Sequence, residues 1–264
     1  IECKAMGIEI LPPDVNESYE EFSVVPNENK IRFGLTSIKN FGSNVAHTIV
    51  EERKACGEYT SIENFLERVR HGSMNRRGLE SLIQSGALDR FATRGVLLKN
   101  VDALLEYQRE MNKRPEGQDS LFGAAEASSA VTLVEAEDVD IQQRLAWEKE
   151  LLGLYVSGHP LDAHAKKLEG KSGIDETKKK HQEGTSTVIA GIISENKTIL
   201  TKNGEKMAFI TLSDLTDSIE SVAFPRILTE HGELLKVDTC VLLKGRVSKR
   251  NDELSFVIEA VRAL

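Results

Sequence analysis

The chain has 264 residues, 40% apolar, 29% charged and 5% aromatic, with a net charge of −8. That length is enough to bury a sizeable core and suits one to three domains. No apolar run approaches the roughly 18 residues of a membrane span, and no charged-then-apolar leader opens the chain. Cys3, Cys56 and Cys240 are odd in number and far apart, so neither a disulfide framework nor a zinc site is suggested; the expectation is a cytoplasmic protein with no membrane partner.

The sequence starts in mid-pattern at Ile1-Glu2-Cys3-Lys4, without an initiating Met, and reads as a piece of something longer. Residues 1–30 give a helix tail, a short strand at Ile8-Glu9-Ile10 and a connector whose paired Pro12 and Pro13 force extended backbone. They are expected to be the end of a preceding domain.

Residues 31–112 are expected to form one helical domain. Leu35 and Ile38 sit on a short helical turn, which Asn40-Phe41-Gly42 breaks. A second helix follows at once, with Ala46, Ile49 and Val50 on one buried face. So tight a turn leaves the second helix's first N–H groups facing outward beside Lys39, Ser43 and Asn44, and free amides at the positive end of a helix dipole suit a phosphate. The pattern resembles the helix-hairpin-helix motif, which grips the DNA backbone without reading bases. Asn40 stands where that motif often has its first glycine, and asparagine tolerates a left-handed conformation. An ordinary helical hairpin within a bundle fits the same residues.

Gly57 ends that helix, and Thr60-Ser61-Ile62-Glu63 reads as a capping box for the next, striped by Ile62, Phe65, Leu66 and Val69. In MNRRGLESLIQSGALDRF, Leu79, Leu82 and Ile83 face inward while Asn75, Arg76 and Arg77 crowd the helix start. Cations there oppose the dipole, and a bound phosphate would relieve them. This is a second candidate hairpin, with a solvated basic face as the alternative. Thr93 opens a long helix to about Met111. Charge supports a DNA contact: residues 30–115 carry 15 basic and 10 acidic side chains, whereas residues 1–29 carry 1 and 7 and residues 116–170 carry 4 and 11. An excess of that size suits weak, salt-sensitive binding.

Residues 113–140 lose all periodicity and have the composition of a flexible linker. Within it Gln118-Asp119-Ser120-Leu121-Phe122 is out of place, two large apolar residues with no core to enter. It resembles the pentapeptide by which bacterial replication proteins bind the ring-shaped sliding clamp, Gln118, Leu121 and Phe122 making the contacts. A loop pinned to this protein's own surface is the alternative. Asp138 and Asp140 read as solvated charge. Residues 141–184 form a helical connector with Trp147, Leu151, Leu152 and Leu154 packed on a neighbour. His159 and His164 lack ligand partners at useful spacing and read as structural.

From Thr185 the period changes to two. Strands begin at Val188, Met207, Ile219, Thr239 and Leu254, with an Asn203-Gly204 hairpin turn and one helix over Pro225 to Lys236. Five strands with a helix between the third and fourth is the layout of an OB-fold barrel over 185–264. The fold class is therefore α+β and multidomain. Such barrels stack single-stranded bases on surface aromatics in a basic groove; Phe209 with Lys197, Lys202, Lys206 and Arg246 are the candidates here. Aromatics are scarce, only Phe209, Phe224 and Phe256, and a solvated face fits nearly as well.

MGIEILPPDVNES, IRFGLTSIKNFG, NRRGLESLIQSGALD, GQDSLFG, LAWEKELLGLYVSGHPLD and the final barrel, in that order, resemble the C-terminal part of the bacterial DNA polymerase III alpha subunit. The resemblance implies a replicative DNA-directed DNA polymerase as parent, using Mg²⁺ for nucleotidyl transfer elsewhere in that protein. It implies duplex DNA, the sliding clamp, the single-stranded template and other replisome subunits as partners. Two-metal transfer needs gathered carboxylates, and no spacing here gathers them; no catalytic, metal or cofactor residue is expected in this chain. A non-catalytic repair or recombination scaffold built from the same modules is the competing reading, and an RNA-binding appendage of an enzyme ranks last.

Overall fold

The structure, a computed structural model, describes residue 3 and residues 6–69, 74–113, 131–250 and 253–264. It divides into two compact units, one of Met6–Ser157 and one built on Gly158–Leu264.

The first unit opens with a small sheet of order β1-β3-β2: β1 is Glu9–Leu11, β2 Ser23–Val24 and β3 Lys30–Arg32, with β1 parallel and β2 antiparallel to the central strand. A 3₁₀ turn at Leu35–Ser37 leads into α1 (Ser43–Cys56), and α2 (Ile62–Arg68), α3 (Arg76–Ser85), α4 (Arg94–Lys99), α5 (Val101–Lys113) and α6 (Ile141–Leu152) follow. Their apolar stripes meet in one core holding Leu35, Ile38, Val45, Ile49, Phe65, Leu82, Leu97 and Leu104. Removing such side chains from water is the main driving force, roughly 1.5–3 kcal/mol each.

Several expectations are corrected here. Residues 6–30 are not a connector leading into this unit but part of it: Val15 lies in the core, and the Asn16 side-chain amide makes two 2.8 Å bonds to the backbone of Tyr59. The cap of α2 is Ser61, one residue beyond the expected Thr60, and it accepts from the Asn64 N–H. The helix expected from Thr93 to Met111 is broken at Asn100. The buried Asn100 amide turns away to bond both the N–H and the carbonyl of Val134 at 2.9 Å.

That contact belongs to a strap. Residues 131–140, expected as part of a flexible linker, are bound to the helices. Val131 and Leu133 pack on the core, and the Asp138 carboxylate accepts from the Gly95 N–H at 3.2 Å. Gly95 admits the strap because it lacks a side chain, since a Cβ there would lie 2.1 Å from the Glu137 carbonyl oxygen. Neither acid is mere solvated charge, because Asp140 caps α6 through the Gln143 N–H. Burial pushes the Asp138 carboxyl up, yet the Gly95 and Val139 amides and Arg144 together hold it below the usual range.

Residues 141–157 complete this first unit rather than forming a connector with 158–184. Glu148, 1% exposed, takes the N–H groups of Val156 and Ser157 at 2.7 and 2.9 Å and the Ser157 hydroxyl. It lies 3.8 Å from the guanidinium of Arg94, itself held by Asp89 and the Gln84 carbonyl.

In the second unit, a 3₁₀ turn at Pro160–His164 is capped by His159 and Asp162 in a reciprocal box, which gives His159 the structural role its sequence context suggested. Short helices α7 (Ala165–Leu168) and α8 (Ile174–Lys180) precede a closed barrel of order β4-β5-β6-β8-β7. Its strands are β4 (Ser186–Leu200), β5 (Lys206–Ser213), β6 (Ser218–Ala223), β7 (Cys240–Arg250) and β8 (Glu253–Ala263). The β6–β8 pair is parallel and the other pairs are antiparallel. Closure pairs every strand on both sides and removes the exposed edge. The helix between β6 and β7, α9, is shorter than the sequence suggested: Pro225–His231, followed by a 3₁₀ turn at Gly232–Leu234.

Candidate nucleic-acid interface

The 35–44 hairpin is held from beneath. Leu35, Ile38 and Phe41 are buried in the core, the Phe41 N–H donates to the Ile38 carbonyl, and the Lys39 N–H donates to Leu151 at the end of α6, 2.9 Å away. Asn40 takes φ 66°, the left-handed turn its side chain tolerates and glycine usually fills. What remains outward are Lys39, Asn40, Gly42, Ser43 and Asn44, all exposed. Phe41, expected among the DNA contacts, is 8% exposed and anchors the turn instead.

Helix α1 is finished at one end only. At its C-terminus Gly57 closes the backbone, and the Arg68 guanidinium reaches the carbonyls of Glu52, Gly57 and Glu58 at 2.8, 2.9 and 3.2 Å. Burial pushes the neighbouring Tyr59 phenol up to about 12, and its hydroxyl donates to the Ile49 carbonyl. At the N-terminus the capping residue is Gly42, no side chain caps it, and no acid stands in the first turn. The Val45 and Ala46 amides turn back to the Gly42 carbonyl. Among the described residues the N–H groups of Gly42, Ser43 and Asn44 meet no protein acceptor, and the Lys39 ammonium makes no ion pair. Three donors, a helix dipole and a cation therefore face solvent together, an arrangement that accepts an anion.

The second candidate site is partly filled by the protein. Asn75 caps α3, its side-chain oxygen accepting from the Gly78 N–H at 2.8 Å. Arg76 is paired with Glu80 at 2.8 Å and with Asp102. The repulsion expected between Arg76 and the helix dipole is thus answered by carboxylates rather than waiting for a phosphate. Of the two arginines only Arg77 is exposed without an ion pair among the described residues.

On the barrel, strand register settles which candidates share a face. Lys197 lies opposite Phe209, Phe209 opposite Val222, Val222 opposite Val257, Val257 opposite Arg246 and Arg246 opposite Ser186. With strands about 4.8 Å apart, Phe209 and Arg246 end a row roughly 14 Å long on the outward side of the strands, in which Arg246 is exposed, Phe209 and Val257 are half-buried and Val222 is buried. Arg246 is paired with Glu259 at 2.7 Å. Lys206 does not join this row: it is three residues from Phe209, and alternation sends it to the other face of the hairpin. Lys202 is exposed in the turn beyond. Phe256, counted with the surface aromatics, is fully buried in the barrel. Val222 and Val257 were missed because cross-strand register is not written in any one strand. Gln118, Leu121 and Phe122 lie outside the described residues.

Among the described residues no group of three or more His, Cys, Asp or Glu side chains is placed to hold a metal ion. No helix among them is long and apolar enough to cross a membrane.

A family model described as a helix-hairpin-helix motif matches residues 7–97, and one described as an OB-fold nucleic acid binding domain matches residues 187–264. DNA polymerase III subunit alpha of Borreliella burgdorferi is 36% identical over 98% of this chain. The subunits of Thermus aquaticus and Bacillus subtilis are 38% and 34% identical over all of it. Over its whole length the chain is similar to one segment of DNA polymerase III subunit alpha. It spans under a quarter of these relatives, 23%, 22% and 23% of their lengths. The hairpin match starts at residue 7, in agreement with the inclusion of residues 6–30 in the first unit. It stops before α5, the strap and α6, so the Leu151 carbonyl that braces the hairpin comes from outside the motif.

Proposed function

We propose that this chain is the C-terminal, DNA-holding part of a bacterial replicative DNA polymerase. The hairpin at Lys39–Asn44 takes a backbone phosphate of duplex DNA on the amides of Gly42, Ser43 and Asn44, with the Lys39 ammonium alongside. Arg77 adds a second, weaker phosphate contact. The observation that carries this reading is the uncapped, acid-free start of α1 against its fully finished C-terminus. Such contacts fix position without reading sequence.

Gln118, Leu121 and Phe122 dock on the sliding clamp, and the Phe209–Arg246 row of the barrel takes the single-stranded template. The Mg²⁺-dependent transfer and the remaining replisome contacts belong to the rest of the longer cytoplasmic protein. The matches to DNA polymerase III alpha favour this reading over a repair scaffold. Binding of fluorescent duplex DNA should fall steeply with salt and show little sequence preference. Changing Gln118, Leu121 and Phe122 to alanine together should abolish clamp binding and leave duplex affinity intact. Salt-independent duplex binding would refute the hairpin assignment, and clamp affinity that survives the triple change would refute the docking assignment.

A further inference from the structure

We propose that His47 is a further phosphate contact of this site, offering Nε2–H to the phosphate held by the α1 amides while Glu20 orients its ring. The inference rests on the hairpin reading above and adds a side chain that the motif's turn does not contain.

At 3.6 residues per turn, residue 47 falls about 40° from Ser43 and about 60° from Asn44 around the helix axis. His47 therefore lies one turn below the gap between the two open amides, on the exposed face. Helical Cα–Cβ bonds tilt toward the N-terminus, which aims the ring at that gap. Val45 and Ile49, about 160° away, take the opposite, buried side.

The ring is held rather than free to wander. Its Nδ1 lies 2.8 Å from the Glu20 carboxylate. Glu20 is itself fixed, its carbonyl receiving the Thr36 N–H at 3.0 Å and the Thr36 hydroxyl at 2.6 Å. With Nδ1 committed to Glu20, Nε2 is the atom left for a ligand. In the neutral ring it is a lone pair that repels phosphate oxygen; one proton makes it a charged donor.

The groups around His47 favour that proton. The bond to Glu20 and its charge raise the imidazole above its ordinary value, Glu51 adds to this, and Lys54 on the same helix opposes it. Lys54 is engaged with Glu51 at 2.8 Å, which blunts its effect. A bound phosphate would raise the affinity for the proton again, since proton and phosphate each favour the other's binding.

The test is duplex affinity of the 264-residue chain measured by anisotropy at constant ionic strength, with pH stepped from the acid to the alkaline side of the histidine range. Wild type should lose roughly two- to fivefold in affinity as pH rises, the scale of one exposed charge contact. His47→Gln should sit near the high-pH level throughout, and Glu20→Gln should move the loss to lower pH. NMR of the His47 ring should show its midpoint rising when DNA is added. A wild-type profile that matches His47→Gln, or a midpoint unmoved by DNA, overturns the proposal while leaving the hairpin reading intact. Absence of duplex binding at every pH overturns both.

Discussion

Replacing Glu148 with alanine should cost the first unit about 3 kcal/mol, a magnitude set by what the carboxylate holds. Two backbone amides at 2.7 and 2.9 Å lose their acceptor. Ser157 is exposed, so water recovers part of that loss, leaving about 1 kcal/mol for each amide. Arg94 is only 3% exposed at its side chain and loses the nearby charge of Glu148, though its paired contact with Asp89 survives. The total therefore falls at or below the usual 3–5 kcal/mol for breaking a buried pair. For a unit of this size that lowers the thermal midpoint by about 6–12 °C. Denaturant titration of wild type, Glu148→Ala and the exposed control Glu150→Ala measures it, and the control should stay within about 0.5 kcal/mol. Leu151, one turn on, accepts from Lys39, so exchange of the Lys39 amide should quicken as well. A cost under about 1 kcal/mol, or a control equally affected, would refute the claim that α6 is welded to the hairpin unit.

Asn40→Ala should destabilise the first unit by about 1–2 kcal/mol because the side chain must enter the left-handed region, while Asn40→Gly should be nearly neutral; paired thermal melts decide this. Arg77→Ala should weaken duplex binding and lower the salt slope by about one, whereas Arg76→Ala, which removes a cation already paired, should change the slope less. Phe209→Ala should weaken single-stranded DNA binding by about 1–3 kcal/mol if bases stack on the barrel, with circular dichroism showing the barrel intact.

The architecture was legible because local signals agreed with one another. The tight Asn40–Gly42 turn, the apolar spacing of α1 and the change of period near Thr185 each specify an element from a few adjacent residues. What escaped the sequence was long-range pairing. Asn100 looks like an ordinary mid-helix polar residue until Val134 is known to lie beside it, and Gly95 looks like a helix weakness until the Glu137 carbonyl is placed against it. The 131–140 strap reads as linker because residues 113–140 as a whole lack periodicity and are rich in Pro, Gly, Ala, Ser and acids. Here the acids bond helix-start amides instead of water. The same blindness affected the sites. Which carboxylates reach Arg76 depends on Asp102, 26 residues away, and which barrel side chains share a row depends on register.

The central claim, that open amides at the start of α1 hold a phosphate, is tested most directly by Gly42→Asp. The backbone there is ordinary extended chain, φ −76° and ψ 134°, and an added Cβ meets nothing closer than Val45 at 3.8 Å. An aspartate at this position caps the free amides with the protein's own anion, which should stabilise the unit by a few tenths to about 1 kcal/mol. The account predicts opposite movements in one variant: a higher thermal midpoint, together with weaker duplex binding and a salt slope lower by about one. Duplex affinity unchanged in a variant shown to be stabilised would mean that those amides do not touch DNA.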